Sequence, residues 1–230
     1  MDDLRTASVA TIEETAEEFA RKLNFQALSP TIAEKDLHKL SLIARQYGAA
    51  SLVIRSCDAD SALRFFNLGV VQVASVVGHP FGGNSTAVKV YECRDLLRRG
   101  VRQIYAYPNP GKMFSRQFQH QEVELIQLAD ACIEAGATLK IVADNSLLDE
   151  EMKIIICRMA KRVNAHFIAS TEPRDLELLK KHCGHRVELE AGGIETYEQA
   201  RLALDLGCAQ LTTTALEPLM LSREAALRAT

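Results

Sequence analysis

The chain has 230 residues, 47% of them hydrophobic, which is enough to bury the core of an α/β barrel as one domain over residues 1–230. Its 27 basic and 30 acidic residues give a net charge of -3, so it lacks the basic surplus of a nucleic-acid-binding surface. The N-terminus is acidic without a signal-peptide pattern, and no apolar run is long enough to span a membrane, so we expect a cytoplasmic protein that binds neither nucleic acid nor membrane.

Short β-branched or apolar runs alternate with longer segments that carry apolar residues at helical spacing, which is typical of repeated βα units. An amphipathic helix is predicted first, near residues 9–22. Eight strands follow, at 23–27, 51–54, 71–77, 103–107, 138–143, 165–170, 186–190 and 210–214. Eight units without a break in composition predict an α/β fold, a (β/α)8 TIM barrel with an extra N-terminal helix, and an open doubly wound sheet is the alternative.

Helical segments fill the intervals between the strands, and several end at a glycine, which adopts the left-handed conformation of a helix end at little cost. They are predicted at 34–48, 61–69, 87–100, 118–136, 149–163, 174–184, 196–207 and 222–230. Six cysteines are scattered along the chain, without zinc-ligand spacing, and we expect them to be reduced and mostly buried. The sequence therefore predicts no metal site and no cofactor.

In a TIM barrel the functional site lies at the carboxyl ends of the strands, so the residues just past each strand are the ones to inspect. They form a polar rim of hydroxyls, carboxylates and one arginine, and the lysine nearest to it is Lys112, just after strand four. The candidate ligand-binding residues are Arg55, His79, Tyr105, Asp144, Ser170, Gly192, Gly193, Thr213 and Thr214.

Each strong candidate also has a structural interpretation. Arg55 suits a bound carboxylate or phosphate, or else it pairs with Asp58. His79 is an acid/base candidate or a packing residue. Tyr105 should share a face with Tyr107, where it either fills the core or donates a hydrogen bond to a ligand.

Acidic residues near the ends of three strands offer a further possibility. They would bind a divalent cation through oxygen ligands or pair with Arg55, although their spacing is not a metal motif. This acidic cluster consists of Asp144, Glu172, Glu188 and Glu190. If Leu189 points into the barrel, however, the alternation of a strand directs Glu188 and Glu190 toward the helices.

Four stretches carry a family resemblance: VVGHPFGGNSTAVKVYE (76–92), LKIVADNSLLDEEMKI, HFIASTEP and ELEAGGIETYEQA. In order and spacing they resemble motifs of the deoxyribose-phosphate aldolases, the first of them V-V-G-F-P-L-G…T…K…E. The likeness runs from about Leu23 to about Leu216. It implies a (β/α)8 fold and descent from class I aldolases, in which one lysine forms a Schiff base while a second lysine and an aspartate move protons.

The residues that this chemistry needs are replaced here. Ala169 stands at the Schiff-base lysine of the family's F-[IV]-K-T-S-T-G run, Leu189 at the relay lysine and Tyr105 at the acid/base aspartate. The family's phosphate loop after strand six is shortened to residues 172–174, and threonines at 212–214 replace its G-T-S-S-G strand end. The resemblance therefore implies an aldolase-like barrel without Schiff-base catalysis.

Three functions remain open from the sequence. The first is a pseudoenzyme or small-molecule binder whose ligand resembles a carbonyl compound or a sugar phosphate, and the second is a lyase or isomerase that uses the polar rim. The third is a structural or regulatory subunit that acts through a helix face such as residues 118–136. A homo-oligomer is compatible with all three.

Overall fold

The computed structural model describes residues 14–66, 71–144 and 146–228, whose strands close into a barrel in sequence order. The strands are β1 (Leu23–Ala27), β2 (Ser51–Ile54), β3 (Gln72–Val77), β4 (Gln103–Ala106), β5 (Thr138–Ala143), β6 (Phe167–Ser170), β7 (Glu188–Ala191) and β8 (Gln210–Thr213). Neighbouring strands are parallel, and the ring closes where Phe25 of β1 pairs with Thr213 of β8. The predicted (β/α)8 barrel is confirmed and the open sheet is wrong.

Helices surround the barrel and return the chain from the carboxyl end of one strand to the start of the next. They are α1 (Ala16–Ala20), α2 (Glu34–Tyr47), α3 (Ala59–Phe65), α4 (Thr86–Arg99), α5 (Pro110–Phe114), α6 (Phe118–Glu134), α7 (Glu150–Arg162), α8 (Leu176–Cys183), α9 (Tyr197–Asp205) and α10 (Leu216–Arg228). None of these described helices is long and apolar enough to cross a membrane.

The helix boundaries differ from the predictions mainly at the two ends of the chain. The N-terminal helix begins at Ala16, with Thr15 and Glu18 forming a capping box, and residues 9–13 of the predicted helix lie outside the described residues. The last helix begins at Leu216 rather than at residue 222, because Pro218 falls in the first turn, where no backbone N–H is needed. The predicted helix end at Gly69 also lies outside the described residues.

The apolar side chains form two layers. A large cluster fills the space between the strands and the helices, and it includes five of the six cysteines, whereas Cys57 is exposed. A smaller cluster lies inside the barrel and consists of Val53, Ala74, Val76, Tyr105, Tyr107, Val142 and Ala169. The interior is therefore packed, and buried polar side chains share it with this cluster.

Candidate functional site

The interior of the barrel holds a lysine that the rim prediction missed. Lys140, in the middle of β5, is fully buried, and its Nζ lies 2.6 Å from Glu190 Oε2 and 3.1 Å from the Tyr105 hydroxyl. It also donates to Gln210 Oε1. An ammonium group has three N–H donors, so these three acceptors use all of them. The signal in the sequence was a single charged residue in an otherwise apolar strand.

Glu190 is the centre of this interior network. Its carboxylate accepts from the Tyr105 hydroxyl at 2.8 Å, from Lys140 and from Thr212 Oγ1, and the residue is 1% exposed. Leu189 instead belongs to the cluster between strands and helices. The condition under which Glu188 and Glu190 would face the helices, an inward-pointing Leu189, is therefore not met, because the alternation of β7 directs Glu190 inward.

Tyr105 serves the interior of the barrel rather than the rim. Burial raises the pKa of its phenol well above the ordinary value, and the nearby Glu190 carboxylate raises it further. Burial lowers the pKa of Lys140, whereas Glu190 opposes that shift. Among the interpretations of Tyr105, the hydrogen-bonded core residue is the one that this arrangement supports.

An apolar layer separates the Lys140 network from the mouth of the barrel. Side chains two residues apart on a strand point to the same face, so the next inward positions above Tyr105 and Lys140 are Tyr107 and Val142. Val142 pairs with Ala169 on β6, and all three side chains belong to the interior cluster, with exposures of 8% or less. Ala169 thus faces the interior and contributes a methyl group to this layer.

Three polar side chains meet at the mouth, on the ends of β3, β4 and β5. The His79 ring lies edge-to-face with Tyr107 at a centroid distance of 5.2 Å. Burial raises the pKa of Tyr107, and the negative charge of Asp144 raises it further. The same charge also acts to raise the pKa of His79. Burial has the larger effect on His79 and lowers its pKa below the ordinary value, which favours the neutral imidazole.

The turn after β3 holds His79 in place. The His79–Pro80 peptide bond is cis, and the Gly78 N–H donates to Glu92 Oε2 at 3.0 Å. Gly82 has a φ of +65°, and its Cα packs so closely on Pro108 that a Cβ would lie 1.9 Å from the Pro108 carbonyl oxygen. Only glycine fits such an approach, so the glycines of this turn position the mouth.

A second buried ion pair supports the same turn from the helix side. Lys89 of α4 is fully buried, and its Nζ lies 2.7 Å from Glu124 Oε1 and 2.8 Å from the Tyr107 carbonyl oxygen. Lys89 is therefore a structural residue that fixes the end of β4. The predicted rim lysine is a different residue, Lys112, which is half-buried on α5.

Arg55 is not placed to bind a ligand. Its Nε–H and one N–H of Nη2 donate to the Asp58 carboxylate. The three remaining N–H groups donate to the carbonyl oxygens of Ser29, Pro30 and Ile32. A guanidinium group has five N–H donors, and these five bonds use all of them. The predicted pairing of Arg55 with Asp58 is confirmed, and these contacts do not support the alternative of a ligand-binding Arg55, which stays a prediction.

The candidates at the end of β6 and β7 also serve the chain itself. Ser170 Oγ donates to the Glu172 carbonyl oxygen. Gly192 donates to the Ser170 carbonyl oxygen at 2.8 Å, and a Cβ on Gly192 would lie 2.3 Å from that oxygen. Gly193 has a φ of +68°. The two glycines therefore allow the β7 turn to pack on the β6 end.

The end of β8 is similar. Thr213 Oγ1 accepts from the Ala215 N–H at 2.9 Å, at the start of α10, and Thr214 is exposed. Arg174 Nε lies 3.0 Å from Glu172 Oε2, so a basic group accompanies the carboxylate of the shortened loop. Among these rim residues, Thr214 alone keeps an exposed side chain that a ligand can reach without displacing a hydrogen bond described above.

The predicted acidic cluster does not form. Glu190 lies in the interior with Lys140, whereas Asp144 is at the mouth, where its Oδ1 accepts from the Ser146 N–H and hydroxyl. Within residues 14–66, 71–144 and 146–228, no group of three or more histidine, cysteine, aspartate or glutamate residues is arranged to hold a metal ion. The cluster prediction is wrong because β7 places Glu190 below the rim.

Comparison with known proteins finds relatives that are named deoxyribose-phosphate aldolase. The chain is 28% identical over 203 residues to a deoxyribose-phosphate aldolase of Treponema denticola, covering 84% of this chain and 94% of the relative. It is 29% identical over 209 residues to that of Thermococcus kodakarensis, covering 86% and 93%. The tetrameric deoxyribose phosphate aldolase of Aeropyrum pernix superposes with a TM-score of 0.84 at 20% identity, covering 92% of this chain and 93% of the other. No protein-family model matches the sequence.

Proposed function

Because this chain belongs to the deoxyribose-phosphate aldolase family, we propose that it binds a small molecule at the carboxyl end of its barrel without Schiff-base catalysis. It is a pseudoenzyme in this proposal, a descendant that keeps the barrel and its mouth but not the covalent chemistry. The relatives are named as aldolases, whereas this chain would use the same architecture for binding alone.

The state of Lys140 carries the proposal. A Schiff base requires a neutral amine with a free lone pair that a carbonyl carbon can reach. Burial lowers the pKa of Lys140 and the Glu190 carboxylate opposes that shift. Lys140 donates all three N–H groups, to Glu190, Tyr105 and Gln210, so its nitrogen has no free lone pair in this arrangement. The apolar layer that contains Ala169 lies between this amine and the mouth. The interior amine is thus a structural cation.

The mouth favours a ligand without a phosphate group. Its hydrogen-bonding side chains include His79, Tyr107 and Asp144. Of the basic groups near the strand ends, Arg55 is fully used by Asp58 and three carbonyl oxygens, and Arg174 pairs with Glu172. A carboxylate at Asp144 repels anions, whereas it accepts hydrogen bonds from hydroxyl or ammonium groups. We therefore expect a neutral carbonyl compound or polyol.

Borohydride trapping tests the absence of Schiff-base chemistry. The protein is incubated with deoxyribose 5-phosphate, or with small aldehydes and ketones, in the presence of borohydride, and the intact mass is measured. We expect no adduct, beside a clear adduct on the Treponema denticola aldolase as a positive control. An adduct would overturn the proposal, and digestion would identify the lysine. The Lys140→Met variant shows whether any adduct lies on Lys140.

Thermal-shift measurements test the ligand class. A ligand that binds the folded state alone raises the melting temperature. Neutral polyols and carbonyl compounds are compared with their phosphorylated counterparts, for the wild type and for a Tyr107→Phe variant that keeps the ring and loses the hydroxyl. We expect a shift with the neutral series that the variant reduces. Shifts only with phosphorylated compounds would contradict the proposed ligand class.

A second function is favoured by the pairing of His79 with Tyr107. A largely neutral imidazole beside a carboxylate is suited to move a proton next to a carbonyl group, as in an isomerase or a lyase. Exchange of carbon-bound hydrogen for deuterium in D2O, followed by NMR over a panel of carbonyl compounds, measures this directly. Exchange that is lost in a His79→Gln variant would establish the enzyme, and its absence favours the binder.

Self-association also belongs to the proposal. The solved Aeropyrum pernix structure is tetrameric, and it shares this fold over most of both chains. We propose that this chain forms a homo-oligomer as well. A structural or regulatory role would act through the outer helices, such as α6. Sedimentation of the purified protein measures its oligomeric state.

A further inference from the structure

A cavity of about 440 Å³ lies at the amino end of the barrel, at the opposite end from the mouth. It is formed where the chain passes from α8 into β7 and from α9 into β8, and we call it the amino-end cavity. Its volume is in the range of small-molecule sites. Functional sites of TIM barrels lie at the carboxyl ends of the strands, so a ligand here would be separate from one at the mouth.

Three basic side chains line the amino-end cavity. They are Lys180 and Lys181, in the last turn of α8, and His185, in the connection to β7. All three are exposed, and none forms an ion pair or a side-chain hydrogen bond with another of the described residues. Residues 180–188 contain three lysine or arginine residues and one acidic residue, in a chain whose net charge is -3. Positive charge without an internal partner is therefore concentrated at this end of the barrel.

The position of Lys180 shows that it belongs to the cavity. Lysines in the last turn of a helix are ordinarily explained by the negative end of the helix dipole. Lys180, however, reaches across to the turn before β8, because a Cβ on Gly207 would lie 3.5 Å from Lys180 Nζ. Gly207 has a φ of +90°, a conformation that favours glycine, and its missing side chain leaves room for the ammonium group. Lys180 thus forms part of the cavity wall.

The connection between α8 and β7 adds backbone donors beside these cations. Glu188, the first residue of β7, donates its N–H to the His166 carbonyl oxygen at 3.0 Å. The N–H groups of His185 and Val187, which both line the cavity, have no such acceptor among the described residues. Backbone N–H groups without acceptors, next to positive side chains, are suited to bind an anion.

The remaining lining gives the cavity an apolar wall and one acceptor. Val187 and Leu189 are 2% and 5% exposed and belong to the cluster between strands and helices, and Ala209 lies beside them. The Glu188 carboxylate is exposed at the same wall. It repels an anion but accepts hydrogen bonds from hydroxyl or amino groups. The cavity therefore combines cations, an apolar surface and a single carboxylate.

We propose that the amino-end cavity binds a small phosphate ester with an apolar body. The phosphate contacts Lys180, Lys181 and His185, which make charge-assisted hydrogen bonds to its oxygens. The body lies on Val187 and Leu189. A nucleoside phosphate has this composition, with a flat base for the apolar wall and ribose hydroxyls for a carboxylate. The inference goes beyond the proposed function and does not depend on it, because the mouth is expected to bind a ligand without phosphate.

Isothermal titration calorimetry with ADP tests the site. Lys180→Gln with Lys181→Gln removes two charge-assisted contacts, so we expect the Kd for ADP to rise at least about tenfold. Lys35→Gln with Lys39→Gln is the matched control, because both lysines are exposed on α2 and the change in net charge is the same. At about 0.15 M salt, which screens distant charges, we expect this control to change the Kd less than about twofold.

Two further probes separate the phosphate contacts from the apolar wall. Inorganic pyrophosphate carries the charge without the body, and adenosine carries the body without the charge. We expect ADP to bind most tightly and adenosine most weakly. Ala209→Leu fills part of the cavity without changing its charge, and it should weaken ADP binding more than pyrophosphate binding. Dichroism and thermal melting confirm that each variant is folded.

The possible outcomes separate this site from the mouth. ADP binding that the α8 variant weakens and the α2 control does not supports the amino-end cavity. Equal weakening by both variants would show general attraction between charges and would overturn the site. Pyrophosphate that binds as tightly as ADP would overturn the role of the apolar wall. ADP binding that Tyr107→Phe weakens and the α8 variant does not would place ADP at the mouth, against both proposals. If neither ADP nor pyrophosphate binds, the amino-end site is overturned while the proposed function is unaffected.

Discussion

Lys140 Nζ and Glu190 Oε2 lie 2.6 Å apart inside the barrel, and both side chains are at most 1% exposed. Taking two charges out of water costs several kcal/mol each, which only good geometry and further hydrogen bonds offset. Here the Tyr105 hydroxyl binds both members, and Gln210 and Thr212 complete the network. The pair is therefore the centre of a satisfied network, and losing one member is costly.

Removing either charge should destabilise the protein strongly. Lys140→Met leaves the Glu190 carboxylate buried without a cation, and Glu190→Gln leaves the Lys140 ammonium without an anion. We expect each to lower the free energy of unfolding by about 3–5 kcal/mol, as for other buried pairs that lose one partner. Urea denaturation measures both.

The double variant separates the pair from the packing around it. Lys140→Met with Glu190→Gln removes both charges, so we expect it to cost less than the sum of the two single changes. A double variant as unstable as that sum would show that the two residues do not act as a pair.

Much of the fold could be predicted from the sequence. The strands at 23–27, 51–54 and 138–143 have the predicted bounds, because apolar runs between helical segments give clear limits. The alternation of Tyr105 and Tyr107 also predicted that the two side chains share a face, and in the structure both lie in the interior cluster. These features depend on local periodicity, which a single sequence carries.

The candidate site was less predictable, because it depends on which face each residue occupies. The glycine pair at 192–193 does not show which residues of β7 point into the barrel. A shift of one residue decides whether Leu189 or Glu190 lies inside, and in the structure it is Glu190. Lys140 was missed because the search was confined to residues beyond the strand ends. Arg55 was at the predicted place, but its partners come from the loop after β1, and pairing across 23 residues or more leaves no local pattern.

Arg55 should contribute to stability rather than to binding. Arg55→Lys cannot reproduce five hydrogen bonds to Asp58 and the carbonyl oxygens of the β1 loop. Its guanidinium is 21% exposed, and we expect a loss of about 2 kcal/mol in urea denaturation. Arg64→Lys is the control, because Arg64 pairs with Glu34 at 3.2 Å but both side chains are 68% exposed. We expect that control to change stability by less than about 0.5 kcal/mol. An Arg55→Lys variant with unchanged stability and reduced ligand binding would restore the ligand role.

Two neighbouring glycines should differ sharply when each is replaced by alanine. Gly82→Ala places a methyl group 1.9 Å from the Pro108 carbonyl oxygen at a φ of +65°, whereas a Cβ on Gly83 meets no atom within 4 Å. The left-handed conformation alone costs about 1–2 kcal/mol, and the turn must also shift. We expect Gly82→Ala to lower the melting temperature clearly and to reduce any ligand binding at the mouth, while Gly83→Ala changes little. Equal effects of the two would show that the turn does not depend on this close approach.

The stability of the protein should fall at mildly acidic pH through His79. Burial lowers the pKa of this imidazole below its ordinary value of 6.5, although Asp144 and Glu92 oppose the shift. Between the lowered pKa of folded His79 and 6.5, the unfolded chain binds more protons than the folded chain. The stability contributed by neutral His79 is therefore fully present above pH 6.5. It is lost as pH falls through the pKa of His79 in the folded state. Urea denaturation at a series of pH values, for the wild type and for His79→Gln, isolates this contribution as the difference between the two. We expect the wild type to lose stability relative to His79→Gln as pH falls from about 7 to about 5. A wild type and a His79→Gln variant with parallel pH profiles would show that His79 does not titrate with a lowered pKa.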